Sequence, residues 1–254
     1  ALAMAMGHVI LKEYYIDKET PYFKEYAKEF TDMPFLVRVE DINGTVQPGR
    51  FLNAKDLGRQ EEGADFQMVL IDELTNEIVV PNGTMGERHT HPEKWNLRLE
   101  NRDTGAKIDP RLSVFDQRED VTVVKLPYFG DEEHEGIIER AIPTITVQTV
   151  DGPMKVTTVY DLILANYGID RGIGGEVATA YTDDTPYTPT WQEKITGVKA
   201  DIAIATAREF ADNAEKTKGR SMIIMGGGIN HWYHADIIYR TILTLIMFCG
   251  TEGV

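Results

Sequence analysis

Cysteine is almost absent: Cys249 is the only one in 254 residues. That excludes an intramolecular disulfide and any four-cysteine cluster or zinc site built from this chain alone, and it fits a reducing compartment. Positive charge is also scarce, with 26 Lys and Arg against 41 Asp and Glu and a formal net charge of −15. The densest basic stretch, Lys216-Thr217-Lys218-Gly219-Arg220, is short. Nucleic acid and anionic membrane surfaces are therefore excluded as general partners. Long apolar runs are missing too. The longest, Ile237 to Cys249, is interrupted by Arg240 and falls short of the ~20 residues of a spanning helix, so it reads as a buried core helix. Residues 1–16 show neither the basic start nor the small-residue cleavage site of a signal peptide.

What is present is ordinary globular composition, 42% hydrophobic and 26% charged, which rules out a disordered or low-complexity chain. The length suits one large domain or two small ones. The first residues, Ala1-Leu2-Ala3-Met4-Ala5-Met6, run into apolar sequence without a capping residue, and Cys249 to Val254 form a glycine-bearing turn. We expect a fragment from the interior of a longer chain; the alternative is a mature protein with frayed ends.

Three zones are expected. Residues 1–33 read as two helices interrupted at Asp17 and Thr20-Pro21. Residues 34–157 read as β-rich and built of hairpins. Expected strands are 35–39, 66–71, 78–80, 95–99, 121–126 and 145–150, with turns at Thr75-Asn76, Asp103-Thr104-Gly105 and Asp151-Gly152. Residues 158–254 return to helical periodicity. A short helix over 159–168 closes at Gly168, Thr190-Trp191-Gln192-Glu193 fits a capping box, and Gly197 supplies a stop. Ile204, Ala207, Phe210, Ala211 and Ala214 fall on one helical face. Ser221 to Met225 reads as a compact apolar strand, followed by Gly226-Gly227-Gly228 and a helix near His231. Helix, buried strand, glycine turn and helix together predict an α/β layer.

Glycines between a strand and a helix let the main chain approach a phosphate or a flat heterocycle. The pattern matches no standard nucleotide motif: Gly226 and Gly228 fit the dinucleotide fingerprint but His231 occupies its third glycine position, and a phosphate-loop lysine is missing. A plain tight turn explains the glycines equally well. His231 and His234, three apart, could hold a metal on one helix face, but no further ligands are in sight and packing or solvation is the better reading. Asn230-His231 suits hydrogen bonding to a polar ligand. His89-Thr90-His91 reads as solvated surface, and His8 and His134 carry no functional reading.

The run Trp191 to Val198, the helix Ile204 to Phe210 and the glycine turn resemble the molybdopterin oxidoreductases of the dimethyl-sulfoxide-reductase superfamily. Ala211 to Ile224, Gly228 to His234, Thr157 to Leu162 and Leu126 to Gly130 narrow the resemblance to the catalytic (alpha) subunits of membrane-bound respiratory nitrate reductases. The resemblance implies Rossmann-like α/β layers from the outer thirds of the chain around the β-rich middle. It implies a parent enzyme reducing nitrate to nitrite at molybdenum held by two molybdopterin guanine dinucleotides, with a [4Fe-4S] cluster. Its partners would be an iron–sulfur beta subunit and a quinol-oxidising gamma subunit in the membrane, with the catalytic part on the cytoplasmic face. Carried over residue by residue, Gly226, Gly227, Gly228 and Asn230 would line the pterin, and His231 would also stand near the molybdenum where nitrate enters. The cluster cysteines and the aspartate that ligates molybdenum are not in this chain, so alone it is expected to bind neither cofactor tightly nor to reduce nitrate. The alternatives are a stand-alone nucleotide-binding module and a related oxyanion reductase.

Overall fold

In the computed structural model, which describes residues 1–83, 98–128 and 136–251, the chain divides into two units. Unit 1 comprises Ala1–Ala27, Tyr167–Arg171 and Glu176–Val254; unit 2 comprises Lys28–Asn166 and Gly172–Gly175.

Unit 1 is helical. Helix α1 (Leu2–Ile10) buries Ala5, Met6, Val9 and Ile10 together with Gly7 and His8. A helix apolar on every side belongs in the middle of its unit, and α1 packs on α4 (Pro189–Thr196), α5 (Ala200–Thr217) and α7 (Ala235–Phe248). His8 Nδ1 lies 2.7 Å from the Tyr167 carbonyl oxygen, so this buried imidazole has a structural partner. The chain continues as a π-helical stretch over Leu11–Asp17 and re-enters an α-helix at Pro21, α2 (Pro21–Phe30). The expected break at Asp17 and Thr20-Pro21 is there. Proline at the first helical position loses no hydrogen bond.

Helix α5 meets α1 through a seam of alanines, Ala203, Ala207, Ala211 and Ala214, while Ile204 and Phe210 are only half-buried. Small side chains let the two helix backbones approach. The start of α4 corrects the expected capping box. The cap is Thr188, whose Oγ1 accepts from the Trp191 amide at 3.1 Å, with Pro189 as the first helical residue. Glu193 instead accepts from the Ala200 amide at 2.8 Å, and Thr190 donates to the Tyr181 carbonyl. Thr-Pro is the stronger start signal, because proline fits only where the amide is spare. Gly197 ends α4 at φ +74, as expected.

Unit 2 holds every strand found among the described residues. Its main sheet has the order β2-β1-β9-β8-β7, all antiparallel. Strands β1 (Leu36–Ile42) and β2 (Thr45–Phe51) turn at Asn43-Gly44, both at positive φ. That dipeptide is the usual two-residue hairpin turn, and reading the sequence missed it. The Thr75-Asn76 turn joins β3 (Leu70–Ile71) to β4 (Ile78–Val79) as expected, although β3 is far shorter than 66–71. Strands β5 (Pro81–Asn82) and β6 (Arg98–Asn101) form a third pair, and residues 95–97 of the strand expected there lie outside the described residues.

Strand β8 (Ile137–Thr149) pairs with β7 (Asp120–Pro127) along its first half and with β9 (Gly152–Thr158) along its second. This stagger curls the sheet, bringing β2 near β7. The β8–β9 hairpin turns one residue before the expected Asp151-Gly152, with Gly152 at φ +107 opening β9. Leu36, Val69, Val114, Val147 and Val156 form the apolar core beneath. Helix α3 (Val159–Asn166) starts from a reciprocal cap: Thr158 Oγ1 donates to Asp161 at 2.9 Å and accepts from its amide at 3.1 Å. Buried Asp161 also receives Ser113 Oγ and the Val114 amide. The Thr157 to Leu162 motif is thus a helix start tied to a loop.

Two expectations for residues 221–249 are corrected. Ser221–Met225 has no regular secondary structure and pairs with no strand among the described residues, and Met222 and Ile224 are 78% and 84% exposed. A strand exists only with a neighbour to complete its ladder, and unit 1 supplies none. Helix α7 buries only Leu245 and Phe248, leaving Ile238, Leu243 and Met247 more than a third exposed. It is a half-covered surface helix.

Candidate functional site

The glycine segment hangs between two anchored points of unit 1. At its start, Ser221 Oγ donates to the Phe210 carbonyl at 3.0 Å, and Asn213 Nδ2 donates to Ser221 Oγ and the Arg220 carbonyl. At the far end of α7, Phe248 and Cys249 are buried, and the hydroxyls of Tyr15 and Tyr22 donate to the carbonyls of Phe248 and Gly250. Burial pushes the Cys249 thiol well above its ordinary range, which keeps it protonated and unreactive.

Between these anchors lies the site expected from the sequence. Gly226 is extended, Gly227–Asn230 form one helical turn, α6, and His234 takes a left-handed conformation at φ +60 before α7 begins. Gly226, Gly227, Gly228, Asn230 and His231 lie within six consecutive residues and are all exposed. None of the three glycines has a positive φ, and a Cβ built on any of them would meet nothing within 4 Å. The fold of this chain gives no steric or dihedral reason for glycine at these positions.

His231 and His234 do not share a helix face. His231 follows α6 as its C-terminal cap, and His234, its ring 4.0 Å from that of Tyr233, precedes α7. The left-handed residue between the helices breaks the spacing that a continuous helix would have provided. Among the described residues no group of three or more His, Cys, Asp or Glu could hold a metal ion. His89, His91 and His134 lie outside the described residues.

Two features were not read from the sequence, and a third extends a stretch that was. Trp232 and Tyr233 are 72% and 87% exposed beside the glycines, an aromatic surface with no cover. The Tyr239 hydroxyl on α7 donates to Asn230 Oδ1. Between residues 216 and 251 stand four basic residues, Lys216, Lys218, Arg220 and Arg240, and one acidic, Asp236. On a chain of net charge −15, this section is locally cationic, which favours an anionic ligand. Open backbone, a carboxamide, an imidazole and local positive charge can together accommodate a flat, polar, anionic molecule.

A family profile described as molybdopterin oxidoreductase matches residues 1–254. The chain is 48% identical over 254 residues to the nitrate reductase alpha chain of Bacillus subtilis (strain 168), covering all of this chain and 21% of the relative. It is 43% identical over 266 residues to the respiratory nitrate reductase 1 alpha chain of Escherichia coli (strain K12), again covering 100% of this chain and 21% of the relative. It is 29% identical over 258 residues to the perchlorate reductase subunit alpha of Dechloromonas aromatica (strain RCB), with coverage of 100% and 21%. The chain thus spans about a fifth of the length of the curated relatives it matches.

Proposed function

This chain belongs to the molybdopterin oxidoreductase family, and on that premise we propose that it is a portion of the catalytic alpha chain of a nitrate reductase. The 48% and 43% identities to nitrate reductase alpha chains, against 29% to a perchlorate reductase, favour nitrate over another oxyanion. In the complete subunit the cofactor is a molybdenum bis(molybdopterin guanine dinucleotide), accompanied by a [4Fe-4S] cluster. Iron–sulfur and membrane-embedded quinol-oxidising partner subunits carry electrons to it, with the catalytic subunit on the cytoplasmic face. No helix among the described residues is long and apolar enough to cross a membrane.

The observation that carries this reading is the open surface over Gly226, Gly227 and Gly228. Glycines that the chain itself does not require make sense where another molecule lies against the main chain. There the backbone of 226–228 would hold the pterin, with Asn230 as a polar contact. When bound, the cofactor supplies the two-electron redox chemistry. The residues of this chain bind, orient and attract. The exposed His231 imidazole donates a hydrogen bond to the entering oxyanion, and Lys216, Lys218, Arg220 and Arg240 raise the local concentration of anions. The unpaired Ser221–Met225 becomes a strand of a Rossmann-like layer once the remaining polypeptide provides a neighbour.

Gly228→Ala in the complete enzyme tests the reading. The added methyl meets nothing within 4 Å among the described residues, so the subunit is expected to fold while its molybdenum and pterin content and its nitrate turnover fall together. Full metal content with full turnover would refute the placement of the cofactor on these glycines.

A further inference from the structure

Asn230 is the last residue of α6, and its side chain is held from the next helix by the Tyr239 hydroxyl, which donates to Asn230 Oδ1. Between the two lie His231, Trp232, Tyr233 and His234, all exposed. A carboxamide has one accepting end and one donating end, and rotation of its terminal group exchanges them. The Tyr239 hydroxyl engages Oδ1 from α7 and ties down that end of the carboxamide. Asn230 is exposed and its Nδ2 has no partner among the described residues, so the NH2 is the end offered outward.

From this clamp we infer that Tyr239 is a positioning residue acting through Asn230, holding its carboxamide so that the NH2 faces an acceptor atom of the ligand. That acceptor is an oxygen or ring nitrogen of the pterin, or an oxygen of nitrate. The inference rests on the reading that Asn230 lines the cofactor site. Tyr239 is half-buried on α7, and its contribution is orientation rather than contact with the ligand.

The test uses the complete enzyme carrying Tyr239→Phe, Asn230→Ala, Asn230→Asp, or Tyr239→Phe together with Asn230→Ala. Molybdenum and pterin per subunit, nitrate KM and kcat are measured for each. Tyr239→Phe keeps the ring and removes one donor. It is expected to lower cofactor occupancy or raise nitrate KM about threefold to tenfold, the size of one lost hydrogen bond, and to do nothing further once Asn230 is alanine. Lower occupancy at unchanged KM identifies the pterin as the acceptor; full occupancy with a raised KM identifies nitrate. Asn230→Asp still accepts from Tyr239 but has no N–H to offer, and it is expected to be at least as damaging as Asn230→Ala. Three results overturn the inference: a silent Tyr239→Phe where Asn230→Ala is damaging, an equal Tyr239→Phe effect in both backgrounds, or an Asn230→Asp enzyme that behaves as the parent. A silent Asn230→Ala overturns instead the placement of Asn230 at the cofactor, and the clamp's role falls with it.

Discussion

Alanine at Gly227 and Gly228 is expected to stabilise the isolated 254-residue chain. Both lie in the single turn of α6, neither has a positive φ, and a Cβ on either meets nothing within 4 Å. The substitution then acts chiefly on the unfolded chain, whose freedom it reduces, for a gain of about 0.4–1 kcal/mol at each site. The pair together is worth about 1–2 kcal/mol if the two sites add. For a domain of 150–250 residues, each kcal/mol moves the melting temperature by about 2–4 °C. Thermal unfolding of the double variant, followed by circular dichroism beside the parent chain, is the assay. An upward shift in the isolated chain beside a loss of molybdenum in the complete enzyme separates the demands of the fold from those of the ligand. A double variant less stable than the parent chain by more than about 1 kcal/mol would show that the fold itself needs these glycines, and the case for an external occupant would collapse.

Gly7→Ala is the counter-example: its Cβ would stand 2.4 Å from the ring of Tyr167, itself wedged against Phe248 and Tyr187. Overpacking costs about 1–3 kcal/mol while helix propensity returns at most ~1 kcal/mol, so denaturant midpoints are expected to fall. Thr188→Ala removes the α4 cap and is expected to cost about 1 kcal/mol, read from the same midpoints. Asp56 gives unit 2 an acid limb. Burial alone would raise its pKa, but the bonds from Arg50 and the Asn53 amide, with the charge of Arg38, outweigh burial and hold it below the ordinary carboxylate range. A carboxylate with a folded pKa below its unfolded one stabilises the fold at higher pH and loses that contribution as pH falls through the folded value. The loss is expected to begin below about pH 4, and Asp56→Asn should flatten that part of the stability profile. Elemental analysis of the purified 254-residue chain is expected to find no stoichiometric molybdenum or iron; a full complement of either would contradict the need for the rest of the subunit.

Features set by short-range chemistry were legible in the sequence. The break before Pro21, the turn at Asn76, the Gly197 stop and the alanines of α5 each depend on a few neighbouring residues. Features that need a distant partner were not. Ser221–Met225 has the composition of a strand, yet pairing decides, and no partner strand is present among the described residues of unit 1. The apolar run of α7 reads as core, although only its inward residues are covered. Strand β2 was missed for a different reason. Pro48 and Gly49 disguise it, and the shift in its register lets the sheet tolerate both. The proposed site rests on a sequence reading of its glycines and of Asn230 and His231. The Tyr239 clamp could not, because it depends on the left-handed residue His234 turning the chain between two helices.

The division of the chain has a consequence for dissecting it. The backbone passes from one unit to the other four times, at 27/28, 166/167, 171/172 and 175/176. The last two passages enclose Gly172–Gly175, where Gly175 at φ +86 lies so close to β8 that a Cβ would stand 2.6 Å from the Ala141 amide nitrogen. Neither unit is therefore a single stretch that could be cut out and expressed by itself. A protease that nicks one passage leaves the halves joined by the other three, and a circular permutant opened at one passage keeps three of the four links.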